Sequence, residues 1–384
     1  LSLVAAPVFS QAGFGISTIV DNLTRPLEND MATVMTQLGR DVVPNLQQAA
    51  LSANIVGDAE MGDFPHFTIA VFGAGVNVYD GMGGFLTDPE TEWQSSVLDL
   101  NQLFTDALGE SDEYDLVANR VAPLPALRVG AGFGVVRGFE FLVSGFFIPQ
   151  RLFNLAPTTE EFDPADFTFN SVNFSTRVRK IIISNEGRLG RSLSVGLGYT
   201  YTGFTFDYRI DSLYDLLQEP TVVVEDEYWL EAQNIGVDVR TRGHTVGLDL
   251  HTSRRWPVVT TFFKVSPYYQ ITRYSGEINF AGALIDDEPG SVEEATQSFN
   301  NAPDDQTFGI DISSDEVNIS DLSVYLNAGF ELRLIGIVWH TSAGLNLEDP
   351  IIDLGSGSLG EKFSEDFDGT LNGITVNLGL RLQY

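Results

Sequence analysis

The sequence predicts an all-β protein: a single-chain antiparallel transmembrane β-barrel with an even number of strands and an N-terminal helical plug. Three observations carry this. Apolar and polar residues alternate one by one over stretches of roughly 12–18 residues, where strands of soluble domains run to about five or six. Short and long connections between these stretches alternate along the chain. The chain also ends on such a stretch, with an aromatic as its last residue. Its 384 residues suffice for two ordinary domains or one large barrel. No run of about 18 apolar residues occurs, so no transmembrane helix is expected, whereas a tilted strand of roughly 9–11 residues crosses a bilayer.

Residues 1–12, LSLVAAPVFSQA, read as the remnant of a secretory signal peptide, with Ser10-Gln11-Ala12 as a small-x-small cleavage site. The alternative is an apolar N-terminal strand. From 13 to 62 the apolar period is helical. Ile16, Ile19, Val20 and Leu23 share one face, and Leu27, Met31, Val34, Met35 and Leu38 another. Asp41 suits the N-cap of a helix over Val42–Ser52. Helices this short need a surface to dock on, and the lumen of the barrel is the nearest. The segment is therefore read as a plug, and residues 63–384 as the barrel.

After Phe64-Pro65 the period is two. In the clearest case Leu322, Val324, Leu326, Ala328, Phe330, Leu332 and Leu334 alternate with Ser323, Tyr325, Asn327, Gly329, Glu331 and Arg333. One apolar and one small or polar face, over this length, fits lipid outside and water or polar groups inside. Strands are expected near 66–79, 125–136, 138–149, 167–184, 191–210, 234–253, 258–280, 318–334, 337–348 and 371–384. That is a count of ten, with 12 or 14 open if weak strands lie in the long loops. Tight turns fall at 137–138, 185–191, 254–257 and 336. Long loops fall at 80–124, 150–166, 211–233, 281–317 and 349–370. Apolar parity slips between Ile235, Val237, Val239 and Val246, Leu248, Leu250, which predicts a β-bulge at Thr241–Gly243. Tyr199, Tyr201, Phe204, Phe206 and Tyr208, with Trp256, Tyr268, Tyr269, Tyr274 and Trp339, are read as interface girdles or as ordinary packing.

The formal charge of −32, from 53 acids and 21 bases, repels phosphate backbones and excludes nucleic acid as a partner. The acids concentrate in 281–317 and 348–368, as a solvated acidic surface or, less simply, as divalent-cation ligands. With no cysteine, disulfides and thiolate metal sites are ruled out. His66, His244, His251 and His340 are far apart in sequence, so no metal site is expected. The run Gly130-Ala131-Gly132-Phe133-Gly134 lies on an alternating strand with no helix after it, so it is no dinucleotide loop. Ser192, Ser194 and His251 stay open as site residues without a pattern to single them out. No enzymatic activity and no cofactor are expected.

The last stretch, Ile374, Val376, Leu378, Leu380, Leu382 and Tyr384 alternating with Thr375, Asn377, Gly379, Arg381 and Gln383, resembles the C-terminal signal by which bacterial outer-membrane barrels are recognised for insertion. Phe64-Pro-His-Phe-Thr-Ile-Ala-Val at the start of the barrel, and Phe167-Thr-Phe-Asn through Tyr208, resemble FadL-like outer-membrane transporters of hydrophobic compounds, the spirochaete proteins above all. The resemblance implies an outer-membrane location, membrane lipids and the insertion machinery as partners, N-terminal helices plugging the lumen, and passive uptake of hydrophobic, fatty-acid-like molecules. Candidate cargo contacts are Phe14, Ile16, Ile19 and Val20 of the plug. A second amphipathic helix in 80–124 adds Trp93, Val97, Leu100 and Phe104. A general diffusion porin and a structural or surface-interaction barrel are the alternatives.

Overall fold

The computed structural model describes residues 20, 24–33, 56–61, 66–78, 126–135, 137–147, 167–184, 190–214, 221–224, 228–313, 317–348 and 374–383. Twelve strands form one antiparallel sheet: β1 (Phe67–Val78), β2 (Ala126–Gly134), β3 (Phe139–Phe147), β4 (Phe167–Ile183), β5 (Arg191–Ser212), β6 (Thr221–Val224), β7 (Tyr228–Arg255), β8 (Val259–Ile285), β9 (Thr307–Ser313), β10 (Val317–Leu334), β11 (Ile337–Glu348) and β12 (Ile374–Gln383). The first and last strands pair, Ile69 opposite Leu382 and Val76 opposite Val376. Because β7 pairs with both β5 and β8, and β8 with β10, the sheet closes into a ring. Strands β6 and β9 stand outside that circuit, on the far ends of β7 and β8. They lie in the segments 211–233 and 281–317 that the alternation reads as loops, so among the described residues the ring itself has ten strands and the whole sheet twelve. Their four and seven residues are too short to carry a clear period.

Closure follows from the turns. Arg137 and Gly138 both have positive φ, as do Ile335 and Gly336, which suits the tight hairpins that twisted strands need. These turns mark the periplasmic end, and the long connections mark the outer end.

Burial inverts the usual rule. Arg128, Glu140, Arg179, Ser194, His251 and Thr260 are buried, while Val129, Phe133, Val178, Leu197, Leu248, Phe263, Phe330 and Leu378 are exposed. Leu197 and Leu248 face each other across β5 and β7 at 56% and 55% exposure, so this apolar belt is not an accident of one strand. Only a hydrocarbon surround makes such a surface favourable, and only a closed ring satisfies its own backbone there.

Toward the outer end the inversion reverses. Beyond Arg242 on β7 and Arg273 on β8 the outward positions are charged: Arg240 pairs with Asp238 at 2.9 Å, and Arg209 with Asp207 at 3.0 Å. The inward positions become apolar, with Val239 and Ile278 buried in one cluster and Leu284, Ile310 and Ile312 in another. These strands project past the membrane into water. The parity slip at 241–243 is this change of solvent. The predicted bulge is not there: Phe204↔Thr241, Gly203↔Arg242 and Thr202↔Gly243 pair without interruption. A shift does occur further on, between Gln233 and Gly236, where Asn234 has φ 53°. A helix, Val292–Asn301, lies in the acidic 281–317 segment, which the alternation leaves as loop. The Ser291 hydroxyl caps it by accepting from the Glu294 amide at 3.2 Å.

The aromatic girdles are half correct. Tyr269 and Trp339 face lipid, and Tyr199 with Tyr201 packs on Phe174 along the outer wall. Phe204, Tyr268 and Tyr274 are buried inside instead.

Candidate functional site

The lumen holds residues 56–61 of the N-terminal segment. This stretch is irregular rather than helical, which corrects the helical period read up to 62. Side chains from strands all around the ring hold it. Glu331 of β10 accepts from the Gly57 amide at 2.6 Å, and His251 of β7 meets the Gly57 carbonyl through Nε2 at 2.9 Å. Arg179 of β4 donates through Nη1 to the Asp58 carbonyl at 2.8 Å and to His251 Nδ1 at 3.2 Å. Since arginine can only donate, Nδ1 accepts and the His251 proton sits on Nε2, pointing at Gly57. Glu140 of β3 accepts from the Met61 amide, and Ser253 from β7 accepts from the Ala59 amide at 3.0 Å.

Asp58 is the centre of this set. Its carboxylate accepts from Arg255 Nη2 at 2.6 Å, from Ser253 Oγ at 2.7 Å and from Arg333. Burial pushes its pKa up, but the Arg333 and Arg255 guanidinium groups outweigh that, and the carboxyl is held below the usual range despite the nearby Glu331 charge. Glu60 reaches back to Ser184 at 2.7 Å and Ser192 at 3.2 Å. Behind this layer the wall charges pair with one another. Arg381 grips Glu331 through both Nη atoms at 2.8 Å, and Arg179 Nε donates to Glu140 at 2.6 Å. Further from the turns Arg177 pairs with Asp249.

Sterics fit the same segment. A side chain on Gly57 would overlap the Phe262 ring, and one on Gly132 would run into Leu142 and Met61. The glycines of the run 130–134 thus lie on the inner face of β2, where Gly132 leaves room for Met61, while Phe133 faces outward. His251 and His340 flank Phe262, at 5.9 and 5.2 Å between ring centres, and do not converge on a ligand site. Among the described residues no group of three metal ligands occurs. A small void runs beside Arg177, Asp249, Lys264, Tyr268 and Tyr325.

The helical stretch at 24–33 lies at the other end. Leu27 is buried against Leu213, Leu230, Leu284 and Ile310, and Met31 and Val20 pack on the same inner wall. Of the candidate cargo residues, Val20 is therefore in an apolar cluster. Phe14, Ile16, Ile19, Trp93, Val97, Leu100 and Phe104 lie outside the described residues, as do Tyr384 and the helix expected over 42–52. His251 and Ser192, left open by the sequence, both hold the 56–61 stretch. Asp58, Arg179, Arg255, Glu331 and Arg333 were not singled out. The signal available was their spacing: each wall residue sits on the polar face near a tight turn, where a charge must find a partner.

A closed antiparallel ring with an apolar exterior and a charged, filled interior defines a transmembrane β-barrel. No protein-family model and no curated protein matches the sequence. Among solved structures it is similar to the outer membrane protease OmpT from Escherichia coli, at 8% identity and TM-score 0.34, covering 83% of this chain and 95% of that one. It is also similar to the toluene transporter TbuX of Ralstonia pickettii, at 7% identity and TM-score 0.25, covering 88% and 94%.

Proposed function

We propose that this barrel is a passive conduit for hydrophobic small molecules, without cofactor or catalysis, closed at rest by its N-terminal segment. The observation that supports this most is the division of the lumen. At the outer end the inner wall is apolar, through Val239, Ile278, Leu284 and Ile310, and it takes up Leu27, Met31 and Ala32 from one side of the helical stretch at 24–33. That is the chemistry of a site for greasy ligands. At the periplasmic end the lumen is filled by a short stretch held by polar contacts alone, apart from Val56 and Met61 on Leu142. Polar contacts exchange with water, so departure of the stretch exposes little apolar surface beyond Val56, Met61 and Leu142. Membrane lipids surround the belt.

The test is uptake of a radiolabelled long-chain fatty acid by Gram-negative cells lacking their own channel for such compounds. Barrel-dependent uptake, without faster entry of a small sugar, is expected. Sugar entry without fatty-acid entry would make the protein a general diffusion porin. Neither would leave a structural or surface-interaction role.

A further inference from the structure

We propose that Asp58 is a removable counter-ion, and that the passage opened when residues 56–61 leave is selective for anions. The inference rests on the reading of that segment as a stopper. Although the chain as a whole is strongly acidic, its described lumen is not. Arg177, Arg179, Arg255, Lys264, Arg333 and Arg381 point inward, as does Arg128. From the wall, Glu140, Asp249 and Glu331 oppose them. Two further acids come from the segment, Asp58 and Glu60.

These charges are not interchangeable. Glu140, Asp249 and Glu331 are each engaged by a wall arginine, namely Arg179, Arg177 and Arg381. Arg255 and Arg333, the least buried of the set at 29% and 22%, converge on Asp58 Oδ2. They stand next to the tight turns, at the periplasmic mouth. When Asp58 withdraws, Arg255 keeps no ion-pair partner among the described residues, and Arg333 keeps only Glu331 at 3.6 Å. The mouth then carries two unmatched guanidinium groups above a wall already in positive excess. A narrow low-dielectric passage focuses that field and concentrates small anions. The acids of the outer segments are not part of this constriction.

The experiment compares the full chain with Asp58→Asn, in planar bilayers under a KCl gradient, after heat-modifiable gel mobility has shown both barrels folded. The native chain is expected to stay mostly closed. Asp58→Asn should open at least about tenfold more often, since removing one partner leaves buried charge uncompensated. Its open state should pass chloride over potassium by about threefold or more. The double variant Arg255→Gln/Arg333→Gln breaks the same contact from the other side. It should open as well but with a weaker chloride preference, and it reads both quantities even where Asp58→Asn does not fold. Folded variants no more open than the native chain would overturn the counter-ion role. Potassium selectivity, or equal chloride preference in both variants, would overturn the charge assignment. Either result leaves fatty-acid uptake unaffected, so it is distinct from failure of the transport reading.

Discussion

Placing an arginine at Leu248 tests the membrane position directly. On the outward face of β7 the order from the tight turn is Arg254, Thr252, Leu250, Leu248, Val246, His244, Arg242 and Arg240. Arg254 and Arg242 are twelve positions apart. At ~3.4 Å per residue and a tilt of about 40°, that separation spans about 31 Å along the membrane normal, close to a hydrocarbon core of ~30 Å. Leu248 is the midpoint. Leu248→Arg should then cost about 2–4 kcal/mol, and His244→Arg, near the interface, only about 0–1 kcal/mol. The assay is urea unfolding of both variants in phospholipid vesicles, read by tryptophan fluorescence. Equal costs at the two positions would refute the assignment of this face to lipid, and a larger cost at His244 would move the membrane along the strand.

Three further outcomes are expected. The folded pKa of Asp58 is depressed, so its contribution to holding 56–61 is complete above the unfolded value near pH ~3.9 and is lost only as pH falls through the lower folded value. Amide exchange at Gly57 and Ala59, corrected for intrinsic rate, should stay protected down to the ordinary carboxylate range and rise below it; a rise already between pH 5 and 7 would contradict the ion pair. Gly57→Val, which would overlap Phe262, should speed exchange at Ala59 and Met61 by at least about tenfold, the equivalent of ~1.4 kcal/mol of overpacking, with the barrel's unfolding midpoint unchanged. Ile335 has φ 38° and is fully exposed, so Ile335→Asn should stabilise the barrel by about 1 kcal/mol in the same urea assay.

The barrel was legible because lipid imposes a strict period of two. Leu322 to Leu334 and Ile374 to Leu382 alternate as the strands β10 and β12 do. Less legible was where that period stops meaning lipid. Val237 and Val239 are apolar because they point inward above the membrane, whereas Val246 and Leu248 are apolar because they point outward within it. A bulge and a change of solvent leave the same mark on a sequence, and only the unbroken pairing of Thr241 to Gly243 separates them. The helix Val292–Asn301 carried a legible cap, Ser291 three residues before Glu294, but its acidic surroundings read as loop. The site was the least legible part. Parity places Glu331, Arg333 and Arg381 on the inner face without saying what stands opposite. Arg333 finds Asp58, 275 residues away in the chain, Glu331 finds the neighbouring Gly57 amide, and Arg381 pairs with Glu331; the first two partners sit in a short non-periodic stretch.

That arrangement also explains why the interior is charged at all. A barrel meant only to be stable would fill its lumen with apolar side chains, since buried ion pairs seldom gain over a well-packed hydrophobic set. The outer end of this lumen does so, around Leu27. The periplasmic end does not: Glu140, Arg179, His251, Glu331 and Arg381 are buried there at considerable desolvation cost. What these groups share is a contact to residues 56–61, or to a neighbour that makes one. An apolar lining would bind the segment through area and hold it as a core does. A polar lining binds it through directed bonds, each of which water can replace. Such a wall suits a segment that must fit in one register and still come out.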